Sequence, residues 1–180
     1  MKQTALKSII VLSLICLVST LFLAVTNQIT APIIEEAERN AALEALKAVM
    51  PDGGNFTEIE LPEDADAIVT NIWQAENGGY VIRLSASGYA PGLVIMCGIG
   101  SDGVITGVET VSSSETPGYG KACEEDWYQA QYAGASSDLS AIDGIAGATR
   151  TSNAYKNAIK TAFATFDSLM TASGEEGQNE

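Results

Sequence analysis

From Ile9 to Val25 the chain carries no charge, and only Ser13, Ser19 and Thr20 interrupt its apolar residues. With Ser8 and Thr26 the run is just long enough to cross a hydrocarbon core of roughly 30 Å at about 1.5 Å per helical residue. A cleaved signal peptide is the competing reading. Ala24-Val25-Thr26 is a poor small-x-small cleavage site, however, and the run is long for a signal. A lipoprotein signal ending at Cys16 fails, because bulky Ile15 precedes it and the apolar residues continue past it. The run therefore reads as a retained transmembrane helix, with residues 1–28 forming a cytoplasmic N-terminus and the span. Lys2 and Lys7 hold the N-terminus in the cytoplasm, which places the rest of the chain on the extracytoplasmic side of the cell (inner) membrane.

Beyond the span the chain is strongly acidic. The 180 residues include 23 acids against 9 bases, for a formal net charge of −14, and no acid precedes Glu35. Such a surface repels nucleic acid and anionic lipid, so DNA or RNA binding is excluded as a role. Histidine is absent. That removes the usual general base, histidine-ligated zinc and histidine-held haem. Cys16, Cys97 and Cys123 have no metal-ligand spacing, so neither a metal site nor an iron–sulfur cluster is expected. Whether Cys97 and Cys123 pair is left open by the sequence. Redox work in this chain would need an organic cofactor.

Ile29 to Met50 reads as a helix continuing away from the membrane, with Pro32 near its first turn and Leu43, Leu46 and Met50 as a narrow apolar stripe. Pro51-Asp52-Gly53-Gly54 stops it, giving a membrane-proximal helix or stalk over residues 29–54. Phe56 to Ala65 reads as acidic and irregular. Strands are predicted over Ile68–Trp73, Tyr80–Ser85, Leu93–Ile99 and Val104–Val111, joined by Asn77-Gly78-Gly79, Gly88–Gly92 and Ser101-Asp102-Gly103. Lys121 to Tyr132 reads as a short helix anchored by Trp127, Tyr128 and Tyr132. Tyr155, Ala158, Ile159, Ala162, Phe163, Phe166 and Met170 recur at helical spacing and form the buried face of a final helix. The fold class is α+β: one N-terminal transmembrane helix, then a single domain over residues 55–172 with an antiparallel sheet packed against helices, then an acidic tail over residues 173–180.

Two loops carry the chemistry. Asp143-Gly144-Ile145-Ala146-Gly147-Ala148-Thr149-Arg150-Thr151-Ser152 runs from glycines into hydroxyl residues at the mouth of the final helix. Bare backbone N–H groups and the positive end of the helix dipole suit a phosphate there. Local chemistry leaves a second reading open, in which Thr149, Thr151 or Ser152 simply caps the helix. Earlier in the chain, Glu115-Thr116-Pro117-Gly118-Tyr119-Gly120 fits a type II turn, because Gly118 accepts positive φ at the third position.

DGIAGAT resembles the flavinylation motif of the FMN-binding subunits of Rnf-type complexes and of Na⁺-translocating NADH:quinone reductases. Glu115–Gly120 is similar to that family's Glu-Thr-Pro-Gly-Leu-Gly loop, with Tyr119 in place of leucine, and residues 88–108 resemble its glycine-rich sheet region. The order of the motifs matches, and the length suits the G subunit of the Rnf type. The resemblance implies FMN, one per chain, esterified through its phosphate to Thr149. It also implies a cofactor-binding set of Asp143, Gly147, Ala148, Arg150, Thr151, Ser152, Glu115, Thr116, Gly118 and Tyr119. Ala146 departs from the family's usual Ser or Thr.

On that resemblance the chain is a membrane-anchored electron-transfer subunit of a complex coupling ferredoxin:NAD⁺ electron transfer to Na⁺ or H⁺ translocation. Its partners would be other membrane subunits of the complex and, during maturation, an FAD:protein FMN transferase. Thr149 would be that enzyme's substrate, so the chain holds no catalytic residue of its own. Asp143 is expected to order its turn through its own side chain. Two other functions remain: a stand-alone anchored extracytoplasmic flavoprotein, and a non-redox membrane-tethered binding or assembly module.

Overall fold

The computed structural model of the chain describes residues 2–62 and 65–176. Helix α1, Lys2–Val49, is continuous, with Pro32 inside it rather than near a first turn. Pro32 has no N–H to offer the preceding turn, and the helix runs through it without a break. The segment Val11–Pro32 has a mean hydropathy of 1.9 and is long and apolar enough to cross a membrane. Its threonines are satisfied within the helix. Thr20, Thr26 and Thr30 donate to the carbonyls of Cys16, Phe22 and Thr26 at 2.8, 2.8 and 2.6 Å. In a bilayer that spares each hydroxyl an unpaired burial.

The chain divides into two compact units, Met1–Ala41 and Ala42–Glu180. Within the second, five strands form an antiparallel meander in the order β1-β2-β3-β4-β5. They are β1 Phe56–Ile59, β2 Val69–Ala75, β3 Tyr80–Ser87, β4 Pro91–Ile99 and β5 Ile105–Ser112. Strand β1 occupies a segment expected to be irregular. It pairs with β2 from Phe56↔Ala75 to Ile59↔Ile72 and forms the sheet edge. The β2–β3 hairpin closes at Asn77-Gly78, where Asn77 Oδ1 accepts from the Gly79 N–H at 3.0 Å.

Both faces of the sheet are covered. On one lie Ile72, Ile82, Leu84, Ile95, Cys97 and Ile99, packed with the buried stripe of helix α3, Thr149–Glu176. Tyr155, Ala158, Ile159, Ala162, Phe163 and Phe166 all face this core, whereas Met170 at the far end is exposed. Each large apolar side chain buried here contributes roughly 1.5–3 kcal/mol. The opposite face carries Trp73, Ala75, Val81 and Met96, covered by Ala45, Leu46, Val49 and Met50 from the end of α1. Leu43, predicted in that stripe, is exposed.

The paired strand glycines Gly98 and Gly107 explain how α1 comes so close. A methyl at either would stand 2.8 or 2.9 Å from the Val49 carbonyl oxygen, which also accepts from Thr106 Oγ1 at 2.6 Å. Between β5 and α3 lie a 3-10 turn, Gly120–Glu124, and a one-turn helix α2, Asp126–Gln129. Tyr128 and Tyr132 are buried as predicted, and Trp127 is exposed, its indole N–H donating to Glu125 at 2.7 Å. Helix α3 continues past Ser173 to Glu176, and residues 177–180 of the expected tail lie outside the described residues.

Candidate functional site

Three segments converge at the N-terminus of α3. They are the β3–β4 connection at 88–90, the loop Glu115–Gly120, and the turn that delivers Thr149. Their meeting leaves a cavity of about 250 Å³, lined by Tyr89, Glu115, Thr116, Tyr119, Gly120, Gly147, Ala148, Thr149, Arg150 and Thr151. Of the residues predicted for the site, Thr149, Gly147, Ala148, Arg150, Thr151, Glu115, Thr116 and Tyr119 are brought together on its walls. Asp143, Ser152 and Gly118 are not among the lining residues. Tyr89 was not anticipated.

Glu115 is the joint of this arrangement. It is only 4% exposed, and each carboxylate oxygen has a donor. Oε2 accepts from Thr151 Oγ1 at 2.9 Å and Oε1 from the Ala90 N–H at 3.1 Å. Gly88 and Gly120 press against it, since an added Cβ would lie 2.3 Å from Oε1 and 2.5 Å from Oε2 respectively. The glycine at 120 thus makes room for a buried carboxylate, a reason distinct from ligand approach. At the turn itself, Tyr119 N–H bonds the Thr116 carbonyl at 3.2 Å, and Gly118 has φ 77°, as a type II turn requires.

The delivering loop repeats that geometry. Ala148 N–H bonds the Ile145 carbonyl at 3.0 Å, with Gly147 at φ 76°. A side chain on Gly147 would meet the Tyr119 ring, whose Cδ1 lies 3.2 Å from the Cβ position, so the two loops touch here. Ser152 is the clip that holds this turn. Its Oγ accepts from the Ile145 N–H at 2.8 Å and donates to the Ala148 carbonyl at 3.1 Å, and the residue is 3% exposed. Lys156 Nζ donates to the Ile142 carbonyl, and Gln131 Oε1 accepts from the Asp143 N–H at 2.8 Å.

The expected ordering of the turn by the Asp143 side chain is therefore replaced by Ser152, Lys156 and Gln131. Asp143 itself is exposed, and only its backbone N–H has a hydrogen-bond partner among the described residues. Ala146 is exposed as well, and the loop is closed by the Ser152 hydroxyl instead.

Three hydroxyls stand at the start of α3, and their surroundings separate them. Thr151 and Ser152 are 1% and 3% exposed and engaged in hydrogen bonds, while Thr149 is exposed on the cavity wall. The first N–H groups of a helix have no carbonyl one turn back. No acid occupies the first turn of α3 to compensate its dipole. Arg150, exposed and without an ion-pair partner among the described residues, is the one cation lining the cavity. Tyr89 and Tyr119 are 73% and 58% exposed, offering two aromatic faces at the rim.

Beneath the site, Tyr155 OH lies 3.2 Å from Thr110 Oγ1, and burial holds its phenol well above the usual range. Burial also raises Cys123, with Glu124 and Glu115 adding to the effect, and pushes Cys97 up to about 12. Both are free thiols, so the pairing left open by the sequence is not formed.

The helix mouth, the exposed hydroxyl and the exposed aromatic rings all fall within a segment that matches a known family. Residues 88–164 match the FMN-binding domain family, and residues 1–49 match the RnfG N-terminal region. The chain is a membrane-anchored protein with an FMN-binding domain.

More narrowly, the two matches and the relatives that follow support an RnfG-type subunit of an ion-translocating oxidoreductase complex. It is 28% identical to the G subunit of the Na⁺-translocating ferredoxin:NAD⁺ oxidoreductase complex of Acetobacterium woodii, over 89% of this chain and 90% of that protein. It is 29% identical to the G subunit of the ion-translocating oxidoreductase complex of Cereibacter sphaeroides, over 92% of this chain and 86% of the other. The corresponding G subunit of Methanosarcina acetivorans is 27% identical, over 87% and 91%.

Proposed function

We propose that the chain is the FMN-carrying electron-transfer subunit of an Rnf-type ion-translocating complex, with one FMN esterified to Thr149. The reading is carried by the contrast among the three hydroxyls at the start of α3, of which Thr149 is the exposed one. In maturation an FAD:protein FMN transferase would present FAD. Thr149 Oγ would lose its proton and bond to the FMN phosphorus as the pyrophosphate bond breaks and AMP leaves. No histidine in this chain can activate a threonine, which is consistent with a separate enzyme supplying the base.

The residues present suit the group. FMN supplies one- or two-electron transfer when bound. Thr149, Arg150 and Thr151 contribute N–H groups at the positive end of α3, and Arg150 adds a charge-assisted donor for the phosphodiester. Tyr119 and Tyr89 flank the opening and offer faces for the isoalloxazine ring. The cavity of about 250 Å³ falls below the roughly 300 Å³ at which pockets begin to enclose a drug-sized ligand. A flavin laid on so open a face would leave readily. A tether keeps it at an effective concentration of order mM or more without tight binding.

The complex would couple ferredoxin:NAD⁺ electron transfer to Na⁺ or H⁺ translocation, in keeping with the name of the Acetobacterium woodii relative, which describes Na⁺ translocation. Lys2 and Lys7 favour a cytoplasmic N-terminus, and hence a flavin domain on the extracytoplasmic side. The test is intact mass after co-expression with the transferase. Wild type is expected to gain one FMN phosphoryl group, on the peptide position of Thr149 and not Thr151 or Ser152. Thr149→Ala should stay at its apoprotein mass. An adduct that persists in Thr149→Ala, or a wild type that remains unmodified beside a working transferase, would refute the assignment.

A further inference from the structure

Glu115 poses a physical question that anion binding alone does not answer. A cavity that receives a phosphate has, in its own wall, a carboxylate almost wholly removed from water. Both of its oxygens accept hydrogen bonds, from Thr151 Oγ1 and the Ala90 N–H, a pair of donors that suits an acceptor-only carboxylate. Gly88 and Gly120 leave no space around it for a bulkier environment. Among the described residues no cation is ion-paired with it, and Arg150, the cation lining the cavity, is exposed. A buried charge is screened far less than an exposed one, so its field reaches across the cavity. Binding would be better served by an amide, and the joint between the three segments could be made by one.

We propose that Glu115 is a positioning residue whose fixed negative charge, held in place by Thr151, lowers the midpoint potential of the flavin carried on this face. The inference rests on the Thr149 tether described above. Reduction of a flavin held at this cavity would add negative charge near a carboxylate that cannot turn away, so Glu115 would favour the oxidised cofactor. Thr151 sets the strength of the effect, because its O–H dipole points at Oε2 and offsets part of the charge.

The experiment is a potentiometric titration of the full-length, flavin-loaded protein in detergent, with loading verified by intact mass and folding by thermal melting. Glu115→Gln, nearly the same shape without the charge, is expected to show a midpoint potential above wild type. Thr151→Val, which keeps the charge and removes its donor, is expected below wild type, and Thr151→Ser is expected to restore the wild-type value.

Should Glu115→Gln fail to fold or load, the Val and Ser pair decides alone. Identical potentials in loaded wild type, Glu115→Gln and Thr151→Val would overturn the proposal. So would identical potentials in the two Thr151 variants. A wild type that never acquires the flavin mass would instead remove the tether reading on which the titration depends.

Discussion

A methyl group added at Gly120 would stand 2.5 Å from Glu115 Oε2 and 2.7 Å from Thr151 Oγ1, two buried atoms hydrogen-bonded to each other. Gly120→Ala is therefore expected to lower stability by about 1–3 kcal/mol. Denaturant unfolding of the apoprotein would measure it, and an unchanged midpoint would contradict the packing described. Ser152→Ala removes the acceptor from the Ile145 N–H, a loss of about 1–3 kcal/mol if that group stays buried. Its second expected effect is slower flavinylation of Thr149, measured by mass over time, because the turn loses its clip. At this scale the sequence was informative where backbone geometry demands a residue type. Gly118 and Gly147, both at positive φ, fall at the predicted turns. It was uninformative where a role depends on distant neighbours. Nothing local shows that Ser152 reaches Ile145 or that Tyr89 stands on the cavity rim.

Among the elements, the end of α1 has more influence than an anchor needs. Leu46 and Val49 are 1% and 0% exposed against the Trp73, Val81 and Met96 face. Leu46→Ala is expected to cost about 2–5 kcal/mol. A chain beginning at residue 42 should unfold cooperatively, whereas one beginning at residue 54 should expose that face and aggregate, as light scattering on heating would reveal. Periodicity made α3 and the four strands β2–β5 legible, because their apolar residues repeat at helix or strand spacing. Strand β1 escaped because an edge strand of pattern half-buried, exposed, exposed, half-buried has little apolar signal to read. Trp127 misled for the opposite reason. Its spacing with Tyr128 and Tyr132 resembles a core stripe, but α2 lasts one turn and leaves it outside.

The molecule as a whole lacks histidine, so its stability should vary little with pH from about 6 to 8, where histidine would ordinarily titrate. Alkali is different. Burial raises the thiols of Cys97 and Cys123 and the phenols of Tyr128, Tyr132 and Tyr155. Unfolded, these groups release protons near about 8.5 and 10. The folded state binds more protons above those values, so its advantage is complete below about pH 8.5 and declines as pH rises. Urea midpoints should fall steeply from about pH 9 upward, with tyrosinate absorbance appearing together with unfolding. Tyr155→Phe should flatten the decline. The carboxylate and hydroxyl that join the cavity walls, Glu115 and Thr151, are 36 residues apart in the chain. Neither wall exists in a half-made polypeptide. If Thr149 carries the cofactor as proposed, attachment would have a built-in order: a nascent or misfolded copy would offer the transferase only a loose peptide, and acquisition of colour would double as a report that folding has finished.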